Sequence, residues 1–227
     1  MKRLFINELG NMRDLGGYTT SNGNITKYNR FIRSDYPLLS NDSIKKLSDM
    51  GITTIIDLRN KDEITRRKNP LNNSNFKYYN IDIASRYAPL KEEDVSLGYI
   101  KILEDYDNIR DIFKIIASSK GGVLYNCTAG KDRTGIISML LLLIGKVPTS
   151  DVIVDYEVSY TFLRNKIRRL HMNNPELPAF LGNSKLEYME DILQKFYDRY
   201  YSVENYMNKI GISERELELI RNKLLCD

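Results

Sequence analysis

Tryptophan is absent from the 227-residue chain, histidine occurs once, and cysteine occurs only twice. The two cysteines, Cys127 and Cys226, are too few for a disulfide framework and favour a reducing compartment. The single histidine, His171, is far from both cysteines in the sequence, so a zinc site has little to build on. We therefore expect no metal ion and no other cofactor.

Long apolar runs and a strong charge of one sign are also absent. The longest apolar stretch, residues 136–144, is interrupted by Ser138 and is too short to cross a bilayer. The start of the chain lacks the apolar segment of a signal peptide, which favours a cytoplasmic protein and leaves only export without a recognisable signal open. The net charge of +4 is too small to argue for a nucleic-acid partner.

The pattern of apolar residues predicts strands that alternate with helices. Short β-branched or aromatic runs predict strands at Ile52–Asp57, Phe76–Ile81 and Val123–Asn126. Helical spacing predicts helices over 40–50 and 97–116, and an apolar run predicts a buried helix over 134–144. This alternation predicts an α/β fold with a mainly parallel central sheet flanked by helices.

The remainder of the chain, from about residue 149, is predicted to be mostly helical. Amphipathic helices are expected over 186–196 and after the capping box that begins at Ser213, with a loop or lid near Pro175 and Pro178. Because nothing between these segments has the composition of a linker, we expect one domain over residues 1–227.

Chemistry concentrates where the Val123–Asn126 strand meets the buried helix. The seven residues between them, here called the signature loop, are Cys127, Thr128, Ala129, Gly130, Lys131, Asp132 and Arg133. A loop that enters a helix N-terminus turns backbone N–H groups inward and binds anions such as phosphate. Arg133 offers a planar fork for two phosphate oxygens, and Lys131 adds a charge expected near the rim.

The same positive field favours the thiolate of Cys127, which makes this cysteine the candidate nucleophile. A cysteine and an arginine six residues later are a weak signal by themselves. The strand before them, the glycine between them and the buried helix after them make the signal specific. A structural role for Cys127 as a small buried apolar residue is disfavoured by the charges beside it.

The segment Cys127–Gly135 resembles the signature of the protein tyrosine phosphatase superfamily. Its Gly-Lys-Asp-Arg-Thr-Gly variant is similar to the bacterial branch that acts on phosphotyrosine, phosphoserine or phosphothreonine, and phosphoinositides. Further similarity to this branch is found in Asn11–Gly17, Asp57–Arg59 and a closing run that includes Tyr188, Tyr206, Gly211 and Leu217. The resemblance implies a thiophosphoryl-cysteine intermediate, with inorganic phosphate as the product. Where the family usually has histidine before the cysteine, this chain has Asn126, which forms hydrogen bonds but cannot carry a positive charge.

Two aspartates compete as the general acid that protonates the leaving oxygen. Asp132 lies inside the loop, where similar bacterial phosphatases are thought to place the acid. Asp82 follows the 76–81 strand, where dual-specificity phosphatases place it. Sequence leaves both open, because geometry decides.

Three further side chains are candidates for supporting the loop. Asp57 and Arg59 end a central strand, and either hold Lys131 or the loop, or form a structural salt bridge. Thr134 either bonds the sulfur of Cys127 or caps the helix.

The leading hypothesis is a protein-tyrosine phosphatase, with a phosphorylated protein as its partner. The alternatives are a phosphatase of phosphoinositides or small molecules, which Lys131 would favour, and a catalytically silent phosphate-binding module, against which intact Cys127 and Arg133 argue. A sulfurtransferase would also use a cysteine in an anion-binding loop, but that function gives no reason for the Lys-Asp-Arg-Thr-Gly order.

Overall fold

A computed structural model describes residues 2–4, 6, 10–36, 39–73, 75–83 and 91–226. In this part of the chain six strands form one sheet in the order β1-β2-β3-β6-β4-β5. Strands β3, β6, β4 and β5 are mutually parallel, whereas β1 and β2 add an antiparallel edge. The strands are β1 (Lys2–Arg3), β2 (Arg13–Asp14), β3 (Phe31–Ser34), β4 (Ile52–Asp57), β5 (Lys77–Asn80) and β6 (Gly122–Asn126).

Helices cover both faces of the sheet and fill most of the second half of the chain. Within the described residues they are α1 (Asn41–Asp49), α2 (Lys61–Arg66), α3 (Val95–Leu103), α4 (Tyr106–Ser118), α5 (Asp132–Ile144), α6 (Thr149–Asn173), α7 (Leu186–Tyr200), α8 (Val203–Lys209) and α9 (Glu214–Leu224). The mainly parallel α/β fold predicted from the sequence is confirmed. Among the helices described, none combines the length and apolarity needed to cross a bilayer.

The sheet separates two apolar clusters because successive side chains of a strand point to opposite faces. On β6, Val123 and Tyr125 belong to the large cluster on the side of α5, whereas Leu124 belongs to the smaller cluster with Leu47 of α1. Helix α5 is the centre of the large cluster, and its residues from Thr134 to Ile144 are all buried. This burial fixes the N-terminus of α5 against the end of β6.

The helix predicted over 97–116 is in fact two helices. Helix α3 ends at Leu103 and α4 begins at Tyr106, with Asp105 between them in a non-helical conformation. The hydroxyl of Tyr206 donates to the carbonyl oxygen of Leu103 at 2.8 Å and so satisfies an end that the helix leaves unpaired. Apolar spacing continues through the break, which is why the sequence pattern missed it.

Other boundaries agree with the predictions to within a few residues. Ser40 caps α1 as expected, and the capping box of Ser213 and Glu216 opens α9. Helix α5 begins at Asp132, inside the signature loop, and the loop expected near Pro175 and Pro178 spans 174–185 after α6. The short helix α8 was not predicted.

Candidate active site

The ends of three parallel strands bring the candidate residues to one edge of the sheet. Ser34 of β3 and Asp57 of β4 are both in register with Asn126 of β6. The signature loop therefore begins, at Cys127, in the crevice at the carboxyl ends of the strands, where open α/β sheets place their ligands.

Cys127 lies at the bottom of the loop, with only 2% of its surface exposed. The backbone N–H of Gly130 donates to its Sγ at 3.2 Å. Gly130 has a φ of +64°, and a Cβ at this position would lie 2.4 Å from the carbonyl carbon and oxygen of Ser34. Only glycine fits this turn without displacing either the loop or the end of β3.

The side chains of Asn11 and Arg33 hold the loop by donating hydrogen bonds to its carbonyl oxygens. Asn11 Nδ2 donates to the carbonyl oxygens of Ala129 and Gly130, both at 3.0 Å. Arg33 donates to the carbonyl oxygens of Gly130 at 2.8 Å and Lys131 at 3.3 Å. Because Asn11 and Arg33 satisfy these carbonyls, the loop can present its N–H groups to an anion beside Cys127.

Asp155 of α6 anchors this support from the interior. It accepts a hydrogen bond from Arg13 Nε at 2.9 Å, another from Arg33, and a third from the hydroxyl of Tyr18 at 3.2 Å. Burial alone raises the pKa of Asp155, but the charges of Arg13 and Arg33 outweigh it and lower that pKa to about 2. Sequence reasoning missed Arg33 and Asp155, since nothing in either local pattern signals a pairing across more than a hundred residues.

Glu63 of α2 fixes the guanidinium of Arg133. Its two carboxylate oxygens accept from the two terminal nitrogens of Arg133 at 2.7 and 2.8 Å, and the hydroxyl of Thr128 also donates to it. Burial raises the pKa of Glu63, but the bonds from Arg133 and Thr128 outweigh it and lower that pKa to about 2. Glu63 was not predicted, although Asn60 and Glu63 form a capping box that the sequence could have shown.

Asp57 organises the residue that precedes the nucleophile. It accepts from Asn126 Nδ2 at 3.2 Å, from Arg59 at 2.7 Å and from Asn69 at 2.8 Å. Asp57 and Arg59 thus form a buried salt bridge that orients Asn126, and the contacts of the described residues show neither of them on Lys131.

Lys131 is not at the rim, where the sequence analysis expected it. Only 6% of its surface is exposed, and its Nζ donates to the carbonyl oxygen of Asn183 at 2.6 Å. The 174–185 loop thus accepts one of the hydrogen bonds of Lys131 through Asn183. The same ammonium lies 3.2 Å from Oδ1 of Asp132.

The two candidate acids have different surroundings. Asp132 lies at the first turn of α5, its side chain 42% exposed, and accepts from the hydroxyl of Tyr99 at 2.6 Å. Asp82 is exposed beyond the end of β5, and its carbonyl oxygen accepts from Asn108 at 3.0 Å. Asp132 therefore contacts Lys131 within the signature loop and Tyr99 outside it, whereas none of the contacts described for Asp82 reaches that loop.

Thr134 fulfils neither of its two predicted roles. It is the third residue of α5, so it lies inside the helix and does not cap it. Its buried hydroxyl has no hydrogen-bond partner among the described residues, which excludes a bond to Cys127 Sγ in this conformation. Of the predicted set, the structure brings Cys127–Arg133, Asn126, Asp57 and Arg59 together and leaves Asp82 apart.

The chain is similar in sequence to known tyrosine phosphatases. The model of the tyrosine phosphatase family matches residues 4–226. A tyrosine-protein phosphatase of Nostoc commune is 26% identical over 216 residues, which cover 86% of this chain and 74% of that protein. A putative tyrosine-protein phosphatase of Cupriavidus necator is 26% identical over 197 residues, which cover 79% of this chain and 68% of that protein.

Among solved structures, TpbA of P. aeruginosa aligns with a TM-score of 0.34 and 16% identity, covering 66% of this chain and 91% of that one. A cysteine-to-serine variant of TpbA in complex with pTyr aligns with a TM-score of 0.35 and 15% identity, covering 66% and 90%. The match of the family model over nearly the whole chain confirms the function class predicted from the signature loop, and the chain belongs to the tyrosine phosphatase family.

Proposed function

We propose that this protein hydrolyses phosphotyrosine in proteins through a covalent phosphate ester on Cys127, with Asp132 as the general acid. One observation carries the proposal. Cys127 Sγ accepts an N–H at 3.2 Å at the base of an anion-binding loop, and Arg133 of that loop is held by Glu63 through two parallel hydrogen bonds. A nucleophile and an oriented cation at one helix N-terminus are the parts that phosphoryl transfer needs.

In the first step the Cys127 thiolate attacks phosphorus, and the bond from phosphorus to the tyrosine oxygen breaks. The leaving oxygen keeps the bonding electrons and takes a proton from Asp132. Negative charge on the equatorial phosphate oxygens faces the loop N–H groups and the guanidinium of Arg133, which stabilise the transition state.

In the second step water attacks the phosphorus of the thiophosphoryl intermediate, and the Asp132 carboxylate accepts a proton from that water. The sulfur–phosphorus bond breaks, inorganic phosphate leaves, and the thiolate and the protonated Asp132 are restored. Asp132 thus gives one proton in the first step and regains one in the second, while the other hydrogen of the water leaves on the inorganic phosphate. We place the enzyme in the cytoplasm, where reducing conditions keep a nucleophilic thiol such as that of Cys127 from forming a disulfide.

The loop sequence also supports assignment to the bacterial branch with broad specificity, which includes phosphoserine, phosphothreonine and phosphoinositides. The structure removes one reason for preferring phosphoinositides. Because Lys131 is buried and bonded to Asn183, it does not offer a free ammonium to a polyphosphorylated head group. We therefore rank phosphotyrosine first among the substrates.

The test is hydrolysis of phosphotyrosine peptides, phosphoserine peptides and phosphoinositides in the presence of EDTA. Cys127→Ser is expected to lose all measurable turnover, because serine is not ionised in this field. Cys226→Ser is the matched control, since it removes the other, exposed thiol and should keep full activity. Turnover that persists in Cys127→Ser, or that EDTA abolishes, contradicts the mechanism.

The assignment of the acid is tested in the same assay with Asp132→Asn and Asp82→Asn. Losing the acid should reduce kcat/KM, which reports the step that expels the leaving oxygen, about 100-fold or more on phenyl phosphate, whose leaving group is poor, and far less on 4-nitrophenyl phosphate. We expect this pattern for Asp132→Asn and near-normal rates for Asp82→Asn. The reverse result would assign the acid to Asp82.

A further inference from the structure

The two carboxylate oxygens of Asp132 have different environments. Oδ1 accepts from the Tyr99 hydroxyl at 2.6 Å and lies 3.2 Å from Lys131 Nζ. Among the described residues none donates to Oδ2, and the side chain is 42% exposed. The protein therefore holds one oxygen and leaves the other to the solvent side.

A second tyrosine stands behind the first. The hydroxyls of Tyr99 on α3 and Tyr156 on α6 are 2.5 Å apart, and their rings meet edge to face with centroids at 6.0 Å. A tyrosine hydroxyl carries one hydrogen, and Tyr99 gives its own to Asp132. Tyr156 must then donate to Tyr99, so that the hydrogen bonds run in one direction, from Tyr156 through Tyr99 to Asp132.

Both tyrosines are held as donors by their surroundings. Tyr99 is 3% exposed and Tyr156 is 1% exposed. Burial, with the nearby charge of Asp132 adding to it, raises the pKa of both hydroxyls well above the ordinary value of tyrosine. Both therefore stay protonated wherever the enzyme works, and hydrogen bonds in such a chain strengthen one another.

We infer that Tyr99, supported by Tyr156, is a positioning residue that places the transferable proton of Asp132 on Oδ2. The inference rests on the proposed function, in which Asp132 is the acid. A protonated carboxyl bears its hydrogen on one oxygen, and the oxygen that already accepts from Tyr99 and faces Lys131 is the acceptor. The hydrogen then lies on Oδ2, on the exposed side, where the leaving oxygen of a bound substrate can receive it.

The proton balance follows from this placement. When the phosphorus–oxygen bond breaks, Oδ2–H gives its proton to the leaving oxygen and Asp132 becomes a carboxylate. Tyr99 and Lys131 stabilise the charge that develops on Oδ1. In the hydrolysis step Oδ2 takes a proton from the attacking water, while Tyr99 and Tyr156 keep their own hydrogens throughout.

A purely structural role is the competing explanation. The three side chains join α3, α5 and α6, and losing a buried hydroxyl would loosen these helices whatever the chemistry. Tyr206 provides a matched control, because its buried hydroxyl donates to the carbonyl oxygen of Leu103, at the end of the same helix α3. Tyr206→Phe removes an equivalent hydrogen bond to α3 without touching Asp132.

The experiment measures kcat and KM of Tyr99→Phe, Tyr156→Phe and Tyr206→Phe on phenyl phosphate and 4-nitrophenyl phosphate. For Tyr99→Phe we expect kcat/KM, which reports the step that expels the leaving oxygen, to fall about tenfold on phenyl phosphate and less than about twofold on 4-nitrophenyl phosphate. Tyr156→Phe should show the same pattern to a smaller extent, and Tyr206→Phe should lose stability with no dependence on the leaving group. Equal losses on both substrates for Tyr99→Phe, or the same pattern in Tyr206→Phe, would overturn the inference.

A double-mutant cycle adds a decisive comparison. If Tyr99 acts through Asp132, then Tyr99→Phe in an Asp132→Asn background should reduce the phenyl phosphate rate no further, whereas a structural effect would add to it. An additive loss overturns the inference. Failure of the proposed function is recognisable separately, because Asp132→Asn by itself would then show no dependence on the leaving group.

Discussion

At the scale of single residues, Glu63 determines where the charge of Arg133 points. It lies on a different element, 70 residues away in sequence, and holds both terminal nitrogens of the guanidinium. Since its pKa is lowered from 4.5 to about 2, its stabilising contribution is complete above pH 4.5 and is lost as pH falls through 2. Glu63 is thus ionised throughout any ordinary assay and introduces no break of its own into a pH–rate profile there.

The first prediction concerns Glu63→Gln, which keeps the shape of the side chain and removes its charge. We expect kcat/KM for phosphotyrosine to fall about tenfold or more, because Arg133 loses two charge-assisted bonds that orient it. Glu216→Gln is the matched control, since Glu216 occupies the same capping-box position in α9. Glu216→Gln should weaken a similar helix cap without affecting turnover. An equal loss of activity in both variants would show that Glu63 acts only as a helix cap.

At the scale of elements, the turn between β6 and α5 depends on Gly130. Its φ of +64° is accessible to other residues at a cost, but a side chain there would also collide with the backbone of Ser34 and Asp35. The loop and the end of β3 are therefore packed backbone against backbone. Tyr36 N donates to the carbonyl oxygen of Thr128 at 3.2 Å, which continues this contact past the end of the strand.

The second prediction separates the steric clash of an added Cβ from the free-energy cost of a positive φ at a residue other than glycine. Gly130→Ala should fold but lose about 100-fold or more in kcat/KM, because the loop must move away from β3 and the N–H groups lose their alignment. In Gly51→Ala, where φ is +79° and nothing lies within 4 Å of the added Cβ, we expect a loss of about 1 kcal/mol in the free energy of unfolding and full activity. Urea unfolding and steady-state kinetics measure the two effects, and an active Gly130→Ala would contradict this account of the loop.

The same element shows what sequence could predict and what it could not. The strand, loop and buried helix from Val123 to Ile144 are contiguous, so a strand pattern, a turn glycine and an apolar run sufficed to locate the nucleophile. Tyr99 and Glu63 reach the loop from other elements, and Asp155 reaches it through Arg33; each is 33 or more residues from the side chain that it bonds. Such contacts depend on the sheet order and on helix packing, which apolar periodicity does not encode.

The helix boundaries also show that local signals were predictable from the sequence and that contacts from other elements were not. Capping signals at Ser40 and Ser213 were local and placed α1 and α9 correctly. The break between α3 and α4 is stabilised from outside by Tyr206, and the ammonium of buried Lys131 is bonded by Asn183 of the 174–185 loop. Where a neighbour on another element decides the conformation, the prediction from the sequence was wrong.

At the scale of the whole molecule, Asp155 connects the long helix α6 to the sheet and to the signature loop. It lies between Arg13 of β2 and Arg33 of β3, and Arg33 continues to the loop carbonyls. One buried carboxylate thus balances two buried guanidinium groups. Breaking such a network leaves uncompensated charge in the interior, which is far more costly than losing a pair at the surface.

The last prediction follows from the lowered pKa of Asp155. Its pKa falls from 3.8 to about 2 on folding, so its stabilising contribution is complete above pH 3.8 and is lost as pH falls through 2. The free energy of unfolding, measured with urea from pH 6 to pH 2, should therefore decline most steeply below pH 4.

In Asp155→Asn the free energy of unfolding should already be lower by about 3 kcal/mol at pH 6, and it should show less of this decline towards low pH. Asp191→Asn, which breaks the exposed pair with Lys195, should lose no more than about 0.5 kcal/mol at pH 6. If Asp155→Asn declined as steeply as the wild type, the acid sensitivity would belong to other carboxylates, and Asp155 would not be the charge on which the sheet, α6 and the loop jointly depend.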